Sequence, residues 1–153
     1  MQTLTFSSRL SAPRERVWEW ITSKDGILAE MRPVMRMTMP KNMALTEADV
    51  VPGKRLFRSY ILLFGVIPFD RSDLTLVSFD PGRGFVEESP MASMKLWRHE
   101  RTIGADPENP AGVILTDRLT FAPRFAEPLA AAFVRFLFTH RHKVLRRSFA
   151  PAS

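Results

Sequence analysis

The C-terminal segment of the chain predicts a helix whose apolar face is too wide to pack against a flat surface. At about 100° per residue, the residues from Glu127 to Phe149 place two apolar sectors side by side and leave a narrow polar arc. A curved sheet wrapped around the helix is the arrangement that buries such a face. The first sector contains Leu129, Phe133, Phe136, Leu137 and Val144, the second Ala130, Val134, Phe138, Leu145 and Phe149, and the polar arc Arg135, Thr139, His142, Lys143 and Arg146.

The residues before this helix predict strands, with two short helices near the start of the chain. Alternation over "QTLTFSSRL" is typical of a half-buried strand, and helical patterns follow in "SAPRERVWEWIT" and "KDGILAEM". Turn signals such as "VPGK" and "DPGRG" then separate strands whose short connections favour an antiparallel meander. These strands are expected near Val34 to Met39, Arg55 to Phe64, Asp70 to Phe79, Gly84 to Ser89, Met94 to Ile103 and Gly112 to Phe121.

The order of these elements predicts an α+β fold. We expect a curved antiparallel β-sheet of about six to seven strands wrapped around a long C-terminal helix, with two short helices after strand one. The 153 residues have the length of one domain, so a single unit accounts for residues 1–153.

The basic composition favours acidic partners. Lysine and arginine outnumber aspartate and glutamate by 22 to 16, which gives a net charge of +6. These charges are scattered and the aromatic residues fall mostly at core positions, so we expect no nucleic acid and retain a transient contact with an anionic membrane. Without a signal-peptide pattern or an apolar run of roughly 20 residues, the expectation is a soluble protein of the cytoplasm.

The residue types present predict no metal and no cofactor. The chain has no cysteine, which excludes thiolate catalysis and cysteine-based metal sites, and it has three histidines. His140 and His142 are two residues apart on the predicted helix, whereas two ligands on one helix face need a spacing of three or four. No glycine-rich phosphate loop or dinucleotide fingerprint is present.

Two polar residues interrupt the apolar face of the C-terminal helix. His140 and Arg141 lie among apolar neighbours, whereas His142 belongs to the polar arc and is expected on the solvated face. Buried polar side chains need partners. Either both residues satisfy backbone or carboxylate groups inside the fold, or one of them lines a ligand cavity.

Polar residues also occupy apolar positions on two strands that are expected to be neighbours. Alternate residues of a strand point to the same face, which is here called their parity. In "GVILTDRLTF" Asp117 has the same parity as the apolar residues, and in "MKLWRHERTI" His99 has the same parity as Trp97. A hairpin that pairs Ile103 with Val113 places His99 opposite Asp117, at a Cβ separation of about 5 Å. The two side chains then either fix the strand register as a structural pair, or orient a ligand or exchange a proton with it.

Two apolar segments each have two explanations. The methionine-rich stretch "MRPVMRMTMPKNM" suits an adaptable binding surface or irregular packing of the core. The stretch "YILLFGVIPF" predicts a hairpin turn that contains Gly65 and Pro68. Its side chains mark a membrane or protein contact if they are exposed, and two adjoining strands if they are buried.

Three segments point to a known family: "FSSRLSAPRERVWEWIT", "LWRHERTI" followed by "GVILTDRLTF", and "PLAAAFVRFLFTHRHKVLRRSF". They resemble the START-like, helix-grip superfamily and are most similar to the bacterial proteins known as SRPBCC ligand-binding domains, and the similarity covers nearly the whole chain. In that group a Trp, His stretch precedes a Thr, Asp stretch, and the last helix carries Phe and Arg before a Leu. The matching positions here are Trp97, His99, Thr116, Asp117, Phe138, Arg141 and Leu145.

The resemblance implies a single START-like ligand-binding domain with a hydrophobic cavity between the sheet and the last helix. It does not imply one activity, because members include polyketide aromatases and cyclases, lipid and quinone carriers, plant hormone and allergen proteins, and chaperone activators. We expect binding or transport of a small hydrophobic ligand such as a lipid, quinone, polyketide or other aromatic compound. The expected ligand-binding residues are Trp97, His99, Leu115, Asp117, Phe133, Phe136, Leu137 and His140.

Two other functions stay open at the level of the sequence. A polyketide cyclase or aromatase would use His99 and Asp117 as catalytic residues that move protons on a bound substrate. A protein- or membrane-interaction module would use the apolar hairpin and the basic surface. No set of residues specifies a reaction, whereas apolar residues for a cavity are plentiful, so we expect a binding protein rather than an enzyme.

Overall fold

The computed structural model of the protein describes residues 1–41 and 43–150, so residue 42 and the last three residues of the predicted domain lie outside it. The described elements confirm the predicted α+β fold, with a long C-terminal helix and two short helices after the first strand. They are β1 (Gln2–Leu10), α1 (Arg14–Ile21), α2 (Lys24–Met31), β2 (Met35–Met37), β3 (Arg55–Leu63), β4 (Ile67–Asp80), β5 (Gly84–Glu88), β6 (Met94–Ala105), β7 (Val113–Pro123) and α3 (Glu127–Ser148).

The seven described strands form one curled antiparallel sheet with the order β1-β7-β6-β5-β4-β3-β2. Strands β2 to β7 follow one another as the predicted meander, and β1 pairs with β7, with Leu10 opposite Val113. Helix α3 packs on β1, β7 and α2. The sheet therefore supplies the curved surface that the wide apolar face of α3 requires.

Most strand boundaries differ from the predicted ones by one to three residues. Strand β2 is confined to Met35–Met37, whereas β4 begins at Ile67, before its predicted start at Asp70. The turn between β3 and β4 contains Gly65, whose φ of 79° is a left-handed conformation that glycine adopts without steric cost. The β3–β4 hairpin is therefore tight, and β4 starts immediately after it.

Gly26 allows α1 and α2 to approach each other closely. A Cβ atom at residue 26 would lie 1.9 Å from the carbonyl oxygen of Trp20, so any side chain there would push the two helices apart. The hydroxyl of Ser23 caps α2 by accepting a hydrogen bond of 3.0 Å from the Gly26 N–H. The close contact between the two helices and the Ser23 cap fix the start of α2. This helix places Glu30 and Met31 in the interior, where both are buried.

The middle and the C-terminal end of α3 belong to different parts of the apolar core. Near its middle, Phe138 belongs to a first cluster that includes Leu119 and Phe121 of β7. Near its C-terminus, Leu145 belongs to a second cluster that includes Leu115, together with side chains of β1 and α1. The cavity described below lies mainly against the first cluster.

Phe138 and Phe136 form a matched pair of substitution sites on α3. Phe138 is fully buried, whereas 58% of Phe136 is exposed. We expect Phe138→Ala to lower the free energy of unfolding by about 3–5 kcal/mol, because it leaves a void in the first cluster. Phe136→Ala is expected to change it by less than about 0.5 kcal/mol. Urea denaturation measures both, and equal effects would contradict this orientation of α3.

Candidate functional site

A cavity of about 560 Å³ lies between the sheet and α3. Small-molecule sites have volumes of roughly 300–1,000 Å³. Most of the lining is apolar, and the methionine-rich stretch contributes to both the core and the cavity. Seven of the eight methionines line the cavity: Met31, Met35, Met37, Met39, Met43, Met91 and Met94.

The cavity opens to solvent between the β3–β4 hairpin and the start of α3. Phe69, Phe125 and Leu129 line the cavity and are each more than half exposed. The ring of Phe69 lies 5.6 Å from the ring of Phe133, measured between centroids, so the hairpin meets α3 there. The exposed apolar side chains of the hairpin are Tyr60, Phe64, Val66, Ile67 and Phe69.

Two groups of polar side chains interrupt the apolar lining. The first group consists of Asp70, Ser72 and Ser93. The Ser93 hydroxyl donates a hydrogen bond to Asp70, and the buried Ser72 hydroxyl has no hydrogen-bond partner among the described residues.

The second group is part of a larger set of ionisable side chains that contact one another, here called the charged cluster. Its members are Glu30, Glu87, His99, Arg101, Asp117, Arg141 and His142, of which Glu87, His99, Arg101 and Arg141 line the cavity.

Arg101 lies at the centre of the charged cluster. Its Nη1 and Nη2 atoms donate hydrogen bonds of 2.9 and 2.7 Å to the two carboxylate oxygens of Glu30. Its Nε and Nη2 atoms donate hydrogen bonds of 2.7 and 2.9 Å to the two oxygens of Asp117. All three side chains are almost fully buried, and the bidentate geometry provides the close pairing that buried charges require.

His99 is held between two carboxylates. Its Nε2 atom lies 2.7 Å from Oδ1 of Asp117, so these two residues are in contact as predicted. Its Nδ1 atom lies 3.7 Å from Oε1 of Glu87. The imidazole is buried, and both of its nitrogens therefore face negative charge.

The register of β6 and β7 differs from the expected one. Ile103 pairs with Leu115 rather than with Val113, and Asp117 consequently lies opposite Arg101. The expected register was wrong by two residues, because turn residues in the sequence do not define the last hydrogen-bonded residue pair of the hairpin. A shift of two residues keeps every side chain on the same face, so the histidine still reaches Asp117 as a diagonal neighbour.

His142 is buried, which corrects the prediction that it lies on the solvated face of α3. Its Nε2 atom lies 2.8 Å from Oδ2 of Asp117, and its Nδ1 atom lies 2.7 Å from the hydroxyl of Ser8. Arg146 donates a further hydrogen bond of 2.9 Å to Ser8. The helix is turned so that an edge of its polar arc faces β1, while Phe136, at an edge of the apolar arc, faces solvent.

The charges of the cluster shift the pKa values of its members. Burial is the largest single effect on Asp117 and acts to raise its pKa, but the charges of Arg101 and His99 and the hydrogen bonds from Arg101 and His142 together hold this pKa well below 3.8. Burial is also the largest single effect on His99 and acts to lower its pKa, but the charge and hydrogen bond of Asp117 together with the neighbouring Glu87 raise this pKa above 6.5. For Glu30 and Glu87 burial acts to raise the pKa, and the neighbouring positive groups lower it below the usual value. The cluster therefore favours ionised carboxylates and a protonated His99.

Three of the apolar residues predicted to bind ligand lie in the cavity lining: Trp97, Phe133 and Leu137. The other two do not. Leu115 is fully buried in the second core cluster, and Phe136 is exposed to solvent. Periodicity assigns a side chain to an apolar face, but it does not distinguish solid packing or solvent from a cavity wall.

His140 has a structural contact rather than a place in the cavity lining. Its Nε2 atom lies 2.6 Å from the carbonyl oxygen of Arg32, to which it donates a hydrogen bond. This bond joins α3 to the end of α2. Arg141, the other polar residue in the apolar face, lines the cavity. His140 therefore has the structural role considered for this pair, and Arg141 has the place in the cavity lining.

The sequence interpretation missed three members of the charged cluster. Arg101 shares the parity of His99, so the alternation that selected His99 also pointed to it. Glu87 shares the parity of Phe85 in the same way. Glu30 gave no comparable signal, because the eight residues of α2 are too few to define an apolar face.

Among residues 1–41 and 43–150, no three or more acidic or histidine side chains are grouped so that they could hold a metal ion. No helix in the same residues is both long and apolar enough to cross a membrane. The absence of a metal, a cofactor and a nucleic-acid partner stays a prediction, as do the cytoplasmic location and the transient membrane contact.

The curled sheet, the long helix and the cavity between them define a helix-grip-like protein. The chain belongs to the family described as "Domain of unknown function (DUF8410)", whose model matches residues 8–149. No curated protein is significantly similar to the chain. The family description carries no function, so the function has to be inferred from the cavity.

Several solved structures have the same fold over almost the full length of the chain. Protein CV1439 from Chromobacterium violaceum is 14% identical with a TM-score of 0.73, and the match covers 99% of this chain and 100% of that one. XoxI from Bacillus cereus is 16% identical with a TM-score of 0.67, with coverage of 97% and 96%. A START superfamily protein from Mycobacterium smegmatis is 8% identical with a TM-score of 0.64, with coverage of 96% of each chain. At these identities the likeness shows a shared fold.

Asp117→Asn removes a negative charge from the charged cluster while it preserves the shape of the side chain. Arg101 then keeps a buried charge that only Glu30 balances, so we expect the free energy of unfolding to fall by about 3–5 kcal/mol. The control is Asp80→Asn at the exposed end of β4, which should have little effect. Urea denaturation measures both, and similar losses in the two variants would contradict the paired charges described above.

His99 gives the stability of the protein a defined pH dependence. The pKa of His99 is raised on folding. Its contribution to the free energy of unfolding is therefore complete below the ordinary pKa of 6.5 and is lost as the pH rises through the pKa of the folded state. We expect the difference in free energy of unfolding between the wild type and His99→Gln to shrink as the pH rises through that window. Urea denaturation at a series of pH values measures the difference. A constant or growing difference would show that the pKa is not raised.

Proposed function

We propose that the protein binds a small hydrophobic ligand, such as a lipid, quinone, polyketide or other aromatic compound, in the cavity between the sheet and α3. The observation that carries this proposal is a cavity of about 560 Å³ lined by seven methionines and several aromatic rings. Methionine side chains are flexible and polarizable and adapt to apolar surfaces of irregular shape. Trp97, Phe133 and Leu137 contact the apolar body of the ligand, and His99, held by Asp117, lies at its polar end.

The fold and the opening of the cavity support this proposal. The START-like superfamily, which the sequence resembles, includes lipid and quinone carriers, and a START superfamily protein has the same fold as this chain. A carrier needs a path for an apolar molecule between its cavity and its surroundings. Phe69, Phe125 and Leu129 provide apolar surface at the opening, where the ligand passes between the hairpin and α3.

The rival proposal of a cyclase-type enzyme has less support from the geometry. A general base needs a nitrogen lone pair within hydrogen-bond reach of the substrate. In His99 the Nε2 atom is hydrogen-bonded to Asp117, the Nδ1 atom faces Glu87, and the raised pKa favours the protonated ring. This environment favours a fixed charge over repeated proton exchange, so we favour binding.

Substitutions that fill the cavity test the proposal. Leu74 lines the cavity, whereas Val77 on the same strand is exposed and lies outside the lining. We expect the wild type to bind the neutral fluorescent probe N-phenyl-1-naphthylamine saturably. Leu74→Trp should weaken that binding by about tenfold or more, because the indole occupies ligand volume, and Val77→Trp should not.

Fluorescence titration measures the probe affinity, and circular dichroism checks that each variant is folded. Equal probe affinity for the two tryptophan variants would place the binding outside the cavity, and no binding by the folded wild type would contradict the proposed function. Native mass spectrometry of the protein purified from its own cells then identifies the ligand. A co-purifying lipid, quinone or aromatic compound is the expected result.

A further inference from the structure

Arg141 is a buried cation that lacks a hydrogen-bond partner among the described residues. Its side chain is 8% exposed and forms part of the cavity lining. Its Nε atom is buried and makes no hydrogen bond within residues 1–41 and 43–150. The nearest carboxylate oxygen, Oε1 of Glu30, lies 3.6 Å from this atom, beyond the range of a normal hydrogen bond. A buried guanidinium with free donors is costly, so the position calls for an acceptor.

Other residues already satisfy the carboxylates near Arg141. Glu30 accepts two hydrogen bonds from Arg101, one at each carboxylate oxygen. Glu87 accepts a hydrogen bond of 2.7 Å from the hydroxyl of Ser89. Neither carboxylate depends on Arg141 for its hydrogen bonds, although both attract its charge. The donors of Arg141 are therefore available to a molecule in the cavity.

The guanidinium of Arg141 is held in a fixed orientation. Its Cζ atom lies 4.7 Å from the centroid of the Phe138 ring, and that ring is fully buried in the core. Stacking on a fixed ring covers one face of the planar guanidinium and leaves its N–H edge free. Such an edge matches a carboxylate, which accepts two parallel hydrogen bonds from it.

The charged cluster contains one more basic side chain than acidic side chains. It contains three carboxylates and four basic side chains. A carboxylate in the cavity would make the acidic and basic groups equal in number. The carboxylates are Glu30, Glu87 and Asp117, and the basic groups are His99, Arg101, Arg141 and His142.

We propose that Arg141 binds the carboxylate of an amphipathic ligand whose apolar body fills the methionine-lined part of the cavity. This inference rests on the proposed function and specifies its ligand class: an apolar molecule with one carboxylate. The carboxylate accepts hydrogen bonds from the free edge of Arg141. The apolar body extends past Phe133 towards the opening at Phe69 and Leu129.

A matched pair of ligands tests the inference in the wild-type protein. Dodecanoic acid and dodecan-1-ol share a chain length and differ in the head group. The affinity of each compound is measured by its displacement of N-phenyl-1-naphthylamine in a fluorescence titration, at concentrations below those at which the compound forms micelles. We expect the wild type to bind the acid about tenfold or more tightly than the alcohol, because charge-assisted bidentate bonds are formed only with the acid.

Three variants on α3 assign the preference to one residue. In Arg141→Gln the preference for the acid should disappear while the alcohol still binds. Arg141→Lys keeps the charge without the fork of donors, so its preference should be intermediate. Arg135→Gln is the control, because Arg135 is exposed on the same helix and lies outside the cavity lining, and it should keep the wild-type preference.

The outcomes separate this inference from the function on which it rests. A wild type that binds the probe and both dodecyl compounds with no preference for the acid overturns the inference alone. An unchanged preference in Arg141→Gln does the same. A folded wild type that binds neither the probe nor either dodecyl compound overturns the proposed function. If Arg141→Gln does not fold, the wild-type preference and its reduction in Arg141→Lys decide the question.

Discussion

The side chain of Arg101, bound between the carboxylates of Glu30 and Asp117, is the interaction on which the rest of the structure depends. All three groups are buried, and a buried charge that loses its partner destabilises a fold by several kcal/mol. Glu30 lies on α2, Arg101 on β6 and Asp117 on β7, and Asp117 also binds His142 of α3. Two helices and two strands must therefore keep the relative positions that satisfy one set of hydrogen bonds.

The same charged cluster determines how polarity is distributed in the cavity. Its members are held by one another, so an apolar molecule cannot displace them, and the polar end exists before any ligand enters. Elsewhere methionines and aromatic rings dominate the lining, apart from the group formed by Asp70, Ser72 and Ser93, up to the exposed side chains at the opening. The charged cluster beside this mostly apolar lining is the basis for proposing an amphipathic ligand. Arg141 is the member of the cluster whose donors are left for such a molecule.

Local patterns predicted the elements, but they did not predict how the elements are rotated against one another. The length of α3 and the meander followed from periodicity and turn residues, which act over a few positions. Whether Phe136 or His142 faces the interior depends on β1, whose Ser8 lies 134 residues before His142 in the chain. The contact of His99 with Asp117 was predictable because parity survives a register error of two residues. Glu30 was not predictable, because its partners come from distant strands.

Nuclear magnetic resonance of ¹³C-methyl-labelled methionine tests the central claim, that the cavity is a ligand site, most directly. Seven methionines line the cavity, and Met1, which is 80% exposed, serves as an internal control. On titration with dodecanoic acid we predict that signals of the cavity methionines shift and saturate while the Met1 signal stays in place. Cavity signals that stay unchanged while the acid is present in excess would contradict the claim, as would a shift confined to Met1.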